Sequence, residues 1–374
     1  MRNLDFPIFK TKTSGVTELF DLNNPESRKR YFEAKAGNEI ERLRAYLKSG
    51  KTFVAYLIGK KNSGKGTYSK LFMEAVGKEH VGHVSVGDIV RDVHASLSSP
   101  ERKAALVDFL SQNYRGFHNI EDTIKIIEGR DQTSLISTEL MIALLKYEIS
   151  RRPRQAIFID GFPRGLDQVS YSIFLKELLG YRSDPDFFIF IDVPEAVIDE
   201  RIKTRVICPV CKTPRNIRLA LTEKIGYDKE KGEFYLICDN VSCNGARMVT
   251  KEGDELGIEP IRKRLEADDL VFKHLLTLRG VPKAFLKNSV PAARAREYVD
   301  DYELTPSYSF ELNPSAAPAV AGSAQDSAVL HDGKIKVIET PWIINDDDDV
   351  PSYSLMPAPV ALSLIKQTAK VLRL

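Results

Sequence analysis

The stretch Thr52-Phe53-Val54-Ala55-Tyr56-Leu57-Ile58-Gly59-Lys60-Lys61-Asn62-Ser63-Gly64-Lys65-Gly66-Thr67 decides how the rest of the chain is read. Its first half, Thr52 to Ile58, is a short apolar run, the pattern of a strand buried on both faces of a parallel sheet. Its second half is a glycine-bearing turn with a lysine. The residues beyond it, through Tyr68, Leu71 and Phe72, follow helical spacing. A phosphate group needs this succession: glycines admit close backbone approach, N–H groups converge, a helix N-terminus is positive, and a lysine reaches the outer phosphates. Gly59, Asn62, Ser63, Gly64, Lys65, Gly66 and Thr67 are therefore candidate triphosphate-binding residues. A plain glycine-rich turn with a stray lysine is the alternative, and the flanking strand and helix argue against it.

Upstream of this stretch, residues 1–23 read as irregular. Asn24-Pro25 then supplies an N-cap and a proline at the first helical position. Phe32, Ala36, Ile40, Leu43 and Leu47 follow at helical spacing and Gly50 closes the segment, so 1–50 reads as an N-terminal extension with an amphipathic helix. Downstream, buried-strand candidates are His83 to Ser85, Ala156 to Ile159 and Phe187 to Val193, with a helical pattern over Thr138 to Ile149. Strands alternating with helices imply an α/β fold, a doubly wound parallel sheet with helices on both faces. The core pieces are 51–91 and 138–205, interrupted by an insert at 92–137. Residues 206–260 break the rhythm with Cys, Gly and charge and read as a small inserted domain. Residues 261–312 return to a helix and continue as an extension. Residues 313–333, rich in Ala, Pro, Ser and Gly, read as a flexible linker. The last part, 334–374, reads as a strand (334–344) and a helix (360–372).

Composition narrows the function classes. Hydrophobic residues make up 43 % of 374, enough for a sizeable core. Lys plus Arg number 54 against 52 Asp plus Glu, a balance that excludes the strong basic excess of bulk nucleic-acid binders. No stretch approaches a transmembrane length, and the opening MRNLDFPIFKTKTSG carries charge where a signal peptide needs an apolar run. The expectation is a cytoplasmic, monomeric protein with no membrane and no nucleic-acid partner.

Three more segments sharpen the reading: Val84-Ser85-Val86-Gly87-Asp88-Ile89-Val90-Arg91, Ile159-Asp160-Gly161-Phe162-Pro163-Arg164 with Gln168, and Asp192-Val193-Pro194 with Arg201 and Arg205. Arg262-Lys263-Arg264-Leu265 follows. Together with Gly64-Lys65-Gly66-Thr67, and in this order over about residues 52 to 280, they resemble the motifs of the adenylate kinase family of nucleoside monophosphate kinases. Singly, each arginine would read as surface charge and the Gly161-to-Arg164 segment as a turn; joint order and spacing give them meaning.

The resemblance implies reversible transfer of the ATP terminal phosphate to AMP, with Mg²⁺ accompanying ATP. It implies that Lys65, Arg205, Arg264 and Asp160 serve the transfer, Asp160 by positioning Mg²⁺ through its water shell. Arg201 would pack over the donor base. Ser85, Val86, Arg91, Ile136, Gly161, Arg164 and Gln168 would bind the acceptor, with Arg91 and Arg164 on its phosphate and Gln168 on its base edge. Such chemistry suits arginine, whose planar fork takes phosphate oxygens two at a time. Departures are also visible. Lys61 and Asn62 stand where the family has Pro and Gly, and Asn tolerates the left-handed backbone such a turn needs. Val86 stands where adenylate kinases carry Thr, which keeps CMP, UMP or GMP open as acceptors. Either Arg247 or Lys251 would replace a shifted lid arginine. A non-catalytic nucleotide-sensing module is the rival from another class. His80 and His83, spaced like ligands, have no third partner in sequence and read as structural.

All four cysteines fall between 208 and 243. Cys208-Pro209-Val210-Cys211 is a tight knuckle and Cys238 with Cys243 a looser one, a pattern for tetrahedral Zn²⁺. Free thiols and two disulfides are the alternatives, the latter disfavoured in a cytosolic kinase. The lid of many bacterial adenylate kinases resembles this arrangement, so 206–260 is expected to be a zinc-knuckle lid around a closed, structural site. Asp346 to Asp349 reads as a solvated turn, and Asp349 to Tyr353 as a candidate contact to the donor base.

Overall fold

The computed structural model describes residues 6–128, 136–312 and 335–374. The linker expected at 313–333 lies outside the described residues, as do 1–5 and 129–135. The chain divides into two compact units. Among the described residues, one comprises those from 6 to 192, Arg264–Lys287 and Pro357–Leu374; the other comprises Val193–Lys263 and those between 288 and 356.

The first unit is built on a five-stranded, all-parallel sheet. Its strands are β1 (Val54–Gly59), β2 (Val81–Ser85), β3 (Ala156–Asp160), β4 (Asp186–Asp192) and a fifth, Lys283–Lys287. The order across the sheet is fifth strand, β4, β1, β3, β2. The α/β reading with a doubly wound parallel sheet is thus borne out. Residues Phe53 to Ile58 are buried almost without interruption because helices cover both faces, and that is why the run shows no polar alternation. Aromatic side chains fill the layer between sheet and helices. Phe158 lies 5.6 Å from Phe53 and 5.0 Å from Phe72, both edge-on.

Helix α1 (Pro25–Lys48) begins as its sequence dictates: the Asn24 side chain accepts from the N–H groups of Glu26 and Ser27, with Pro25 in the first turn. It is interrupted at Ala36 (φ −146°, ψ 22°), next to Gly37, whose low helix propensity weakens the turn there. Helix α2 (Lys65–Val76) follows the phosphate-type turn directly. Helices α3 (Val86–Ser96), α4 (Pro100–Asn113), α5 (Ile120–Glu128) and α6 (Thr138–Ser150) connect β2 to β3, and α7 (Val169–Leu178) connects β3 to β4.

The fifth strand is not foreseen in the sequence reading. Its residues, Lys-Ala-Phe-Leu-Lys, bury only Ala284 and Leu286, since it lies at the sheet edge. At that edge one side chain satisfies the Phe285 backbone. Gln367 accepts from the Phe285 N–H (2.8 Å) and donates to the Phe285 carbonyl (2.6 Å), replacing the neighbour strand that is not there. Gln367 belongs to the Pro357–Val371 helix, which packs against α1, α2 and the fifth strand.

The second unit contains α8 (Glu195–Lys203), the first two residues of α9 (Arg262–Thr277), and short antiparallel sheets. Arg205–Ile207 pairs with Pro214–Asn216 and Val249–Thr250, and Lys224–Asp228 forms a hairpin with Glu233–Ile237. Ser289–Pro291 and Ile343–Asn345 flank Pro351–Ser354, while Pro306–Leu312 pairs with Ile335–Pro341. The strand expected over 334–344 is therefore two strands, broken at Trp342. Among the described residues, no helix is long and apolar enough to cross a membrane.

Candidate functional site

The turn after β1 has the backbone that close approach to an anion requires. At Gly59 a Cβ would sit 2.9 Å from the Ile191 carbonyl oxygen, so only glycine fits. Asn62 adopts φ 65° and Gly64 φ 91°, both left-handed, and Asn is one of the few residues with a side chain that does so readily. Gly64 is the N-cap of α2 and offers no side chain to cap it, which leaves first-turn N–H groups and the positive end of the helix for a ligand. Gly66 and Thr67 lie in that first turn. Ser63 is fully buried and its hydroxyl has no hydrogen-bond partner among the described residues.

Lys65 folds back over this turn. Its Nζ donates to the Gly59 and Lys60 carbonyls, both at 2.9 Å, and stands 3.8 Å from Asp160 Oδ1. Burial pushes its ammonium below the usual lysine range; the carboxylates of Asp160 and Asp268 oppose this, while Arg264 and Arg164 add to it. That single balance shows that Lys65, Asp160, Arg264, Asp268 and Arg164 share one electrostatic neighbourhood. Asp268 is absent from the sequence reading. Its carboxylate accepts from the Lys61 backbone N–H (2.9 Å) and pairs with Arg264 Nε (2.9 Å), bracing the phosphate-type turn against α9. Burial raises the Asp268 carboxyl above its ordinary value. The signal available in sequence was its place four residues after Arg264 on one helix face.

Strands β2 and β3 end side by side, with Ser85 opposite Asp160. The Ser85 hydroxyl accepts from the Asp88 N–H (3.3 Å) and caps α3, and Val86 begins that helix with its side chain buried. Arg91 pairs with Asp88. A Cβ on Gly87 would lie 3.6 Å from a terminal nitrogen of both Arg91 and Arg164, so the two guanidinium groups converge on one bare stretch of backbone. Gly161 adopts φ 85°, a backbone that favours glycine, and Arg164 Nη2 lies 2.6 Å from where its Cβ would be. The Arg164 N–H donates to Gln168 Oε1 (2.8 Å), which holds the buried Gln168 amide by its oxygen end. Ile136 is buried. His83, on β2, sits under α2 with Nδ1 2.9 Å from the Ser69 hydroxyl, and burial lowers its imidazole below the usual value.

In the second unit, Arg205 forms a two-pronged pair with Asp254, Nε to Oδ2 and Nη2 to Oδ1, each 2.7 Å. Arg201 Nη2 donates to Asn288 Oδ1 at 3.4 Å. Arg247 pairs with Asp228 (2.6 Å) and lies over the Tyr235 ring, whereas Lys251 is exposed. Asp347 caps α8 by accepting from the Glu195 N–H (2.7 Å), and Asp346 organises its own turn.

The four thiols of Cys208, Cys211, Cys238 and Cys243 are free and lie within 4.8 Å of one another, with Cys211 and Cys238 3.6 Å apart. Tetrahedral Zn²⁺ at about 2.3 Å from each sulfur needs sulfur separations of about 3.8 Å, so the cluster fits such an ion. The Thr213 side chain and backbone hold the Cys211 thiol down to about 6, toward the thiolate that metal binding uses.

Comparison with known proteins agrees with this geometry. No protein-family model matches the chain. An adenylate kinase of Hydrogenobaculum sp. is 28 % identical over 187 residues, half of this chain and 71 % of that protein. An adenylate kinase of Thermotoga neapolitana is 31 % identical over 162 residues, 42 % of this chain, and the chain spans only 61 % of its length. An adenylate kinase of Mesoplasma florum is 28 % identical over 211 residues, 56 % of this chain and 79 % of that protein. The parallel sheet, the phosphate-type turn and these relatives together support the class of nucleoside monophosphate kinases. Within that class the relatives carry the name adenylate kinase, and the resemblance read from the motifs is borne out by them.

Proposed function

We propose that the chain is an adenylate kinase, transferring the terminal phosphate of ATP to AMP and back. The observation that supports this most is the convergence of Arg91 and Arg164 over Gly87, in the same electrostatic neighbourhood as Lys65 and Asp160. A pair of guanidinium groups, a lysine and a helix N-terminus gathered in one neighbourhood suit two phosphorylated substrates. Phosphoryl transfer needs positioning and charge stabilisation rather than covalent help. In this reading Lys65 exchanges its loop carbonyls for the outer phosphates of ATP. Gly59, Asn62, Ser63, Gly64, Gly66 and Thr67 wrap those phosphates, and Arg201 attends the donor base. Arg205 and Arg264 neutralise charge in the transition state, which for Arg205 means leaving Asp254. Mg²⁺, bound with ATP, would supply charge neutralisation at the phosphates, and Asp160 is the residue that would orient its water shell. Arg91 and Arg164 hold the phosphate of AMP; Ser85, Val86, Ile136, Gly161 and Gln168 shape the place of its sugar and base. Closure of the 206–260 lid, held together by one structural Zn²⁺, excludes water that would otherwise hydrolyse ATP.

Two observations favour a second reading, with CMP, UMP or GMP as acceptor. Val86 brings no hydroxyl, and Gln168 Oε1 already accepts from the Arg164 N–H, which leaves one lone pair of that oxygen beside the two amide donors for the base. One assay tests both: MgATP with a panel of AMP, CMP, UMP and GMP. AMP conversion to ADP with the highest kcat/KM is the expected result. A higher value for another monophosphate moves the assignment to that acceptor, and no transfer to any of them assigns the chain to nucleotide binding without catalysis.

A further inference from the structure

Asn288 stands immediately after the fifth strand, where the chain leaves the sheet for the Asn288–Met356 segment. It is completely buried, which an amide tolerates only when its polar atoms are satisfied. Its Nδ2 donates to the Leu355 carbonyl (3.0 Å) and its backbone carbonyl accepts from the Leu355 N–H (2.7 Å). Its Oδ1 accepts from the fully buried Ser354 hydroxyl (2.9 Å) and from Arg201 Nη2 (3.4 Å). The amide cannot be turned over: a carbonyl oxygen can only accept, so the end facing Leu355 must be the NH₂ and the end facing Arg201 the oxygen. Two consecutive residues of the returning chain thus fix an acceptor in front of one arginine. Arginine has several rotatable bonds, and a fixed acceptor removes part of the cost of ordering it on a ligand.

We propose that Asn288, locked by Ser354 and Leu355, is a positioning residue that presents Arg201 to the donor nucleotide. The Asn288–Met356 segment thereby contributes to donor binding without touching the nucleotide through Asn288. This inference rests on the reading of Arg201 as a donor-binding residue given above.

The test is a double-mutant cycle on the full chain, with ATP and AMP dissociation constants measured by calorimetry, so that no turnover is needed. The variants are Asn288→Ser and Ser354→Ala, each made alone and with Arg201→Ala. Asn288→Ser is expected to weaken ATP about fivefold, below the tenfold or more of a well-made hydrogen bond to a charged group because 3.4 Å is long. Ser354→Ala is expected to act in the same direction to a smaller extent. AMP binding should be unchanged, and neither substitution should weaken ATP further once Arg201 is alanine. Equal weakening in both backgrounds, or weakening of AMP as well, would reveal a general structural role and overturn the proposal while leaving the reading of Arg201 intact. Unchanged ATP binding in a folded Asn288→Ser protein would also overturn it. If Arg201→Ala alone leaves ATP binding untouched, the donor assignment of Arg201 falls and the proposal falls with it. Should Asn288→Ser fail to fold, Ser354→Ala carries the same cycle.

Discussion

The parallel sheet and the cysteine-bearing segment solve the same problem with different means. The sheet unit buries long apolar runs against helices, and its order comes from area: Phe53, Phe72, Phe158, Phe187, Phe188 and Phe190 are all fully buried. The segment around the knuckles has a small core, in which Val206, Leu236 and Met248 share their place with Cys208, Cys238 and Cys243. At about 25 cal/mol per Å² such a cluster gives little against the entropy of ordering some fifty residues. Two structural economies in one chain imply two kinds of vulnerability: the sheet unit should fail through cavities, and the knuckle segment through loss of a metal.

The largest effect expected is therefore metal removal. Structural Zn²⁺ sites carry apparent binding free energies of about 10–16 kcal/mol, so chelation or Cys208→Ser should open the 206–260 segment outright. Limited proteolysis with mass analysis should find new cleavage there, while the strands and helices of the sheet unit stay resistant. Purified protein with less than about half an equivalent of zinc and an unchanged digestion pattern would break the comparison. The converse experiment is Phe158→Ala, expected to cost about 3–5 kcal/mol. Its melting temperature should fall while zinc content stays at one equivalent; loss of zinc in step with melting would show that the two units do not fail separately.

Lys65→Ala separates chemistry from both kinds of stability. Loss of one preorganised charge contact is expected to lower turnover at least about 100-fold, or about 2.7 kcal/mol. Because Lys65 is a partly buried cation whose charged form its surroundings disfavour, thermal stability should not fall; a collapse in melting temperature with turnover intact would contradict its assignment. The smallest effect concerns His83. Its folded-state affinity for a proton is lowered by burial, so below about pH 6.5 the unfolded chain binds more protons than the folded one. Stability should thus be full above that value and decline as pH falls toward the lowered one. His83→Gln should flatten the decline in urea titrations between about pH 7 and 5, and an unaltered slope would remove His83 as its source.

The sheet unit was also the more legible region. Thr52 to Thr67 names a strand, a turn and a helix because each piece uses a different local rule: buried apolar run, left-handed turn residues, helical spacing. The fifth strand stayed hidden because an edge strand buries only alternate residues, and Lys283 and Lys287 disguise its ends. The kink at Ala36 was hidden too, since the apolar spacing of α1 continues across it. In the candidate site, the residues with family motifs were visible. Asp268 and Asn288, which touch Lys61 and Arg201, were not, because their partners are 207 and 87 positions away. Nor could sequence show that Gln168 is anchored by the Arg164 backbone, a fact that bears directly on acceptor choice.

The edge strand and the helix that seals it are neighbours in space, yet residues 288–356 are synthesised between them. At about 5–20 residues per second, translation of that stretch takes roughly 3–14 s. Throughout that interval the Phe285 backbone lacks its Gln367 partner, and the surface later covered by Ala361, Leu364 and Ile365 is open to other chains. A nascent chain whose sheet had already formed would expose that surface for the whole interval, a time set by the length of the intervening segment.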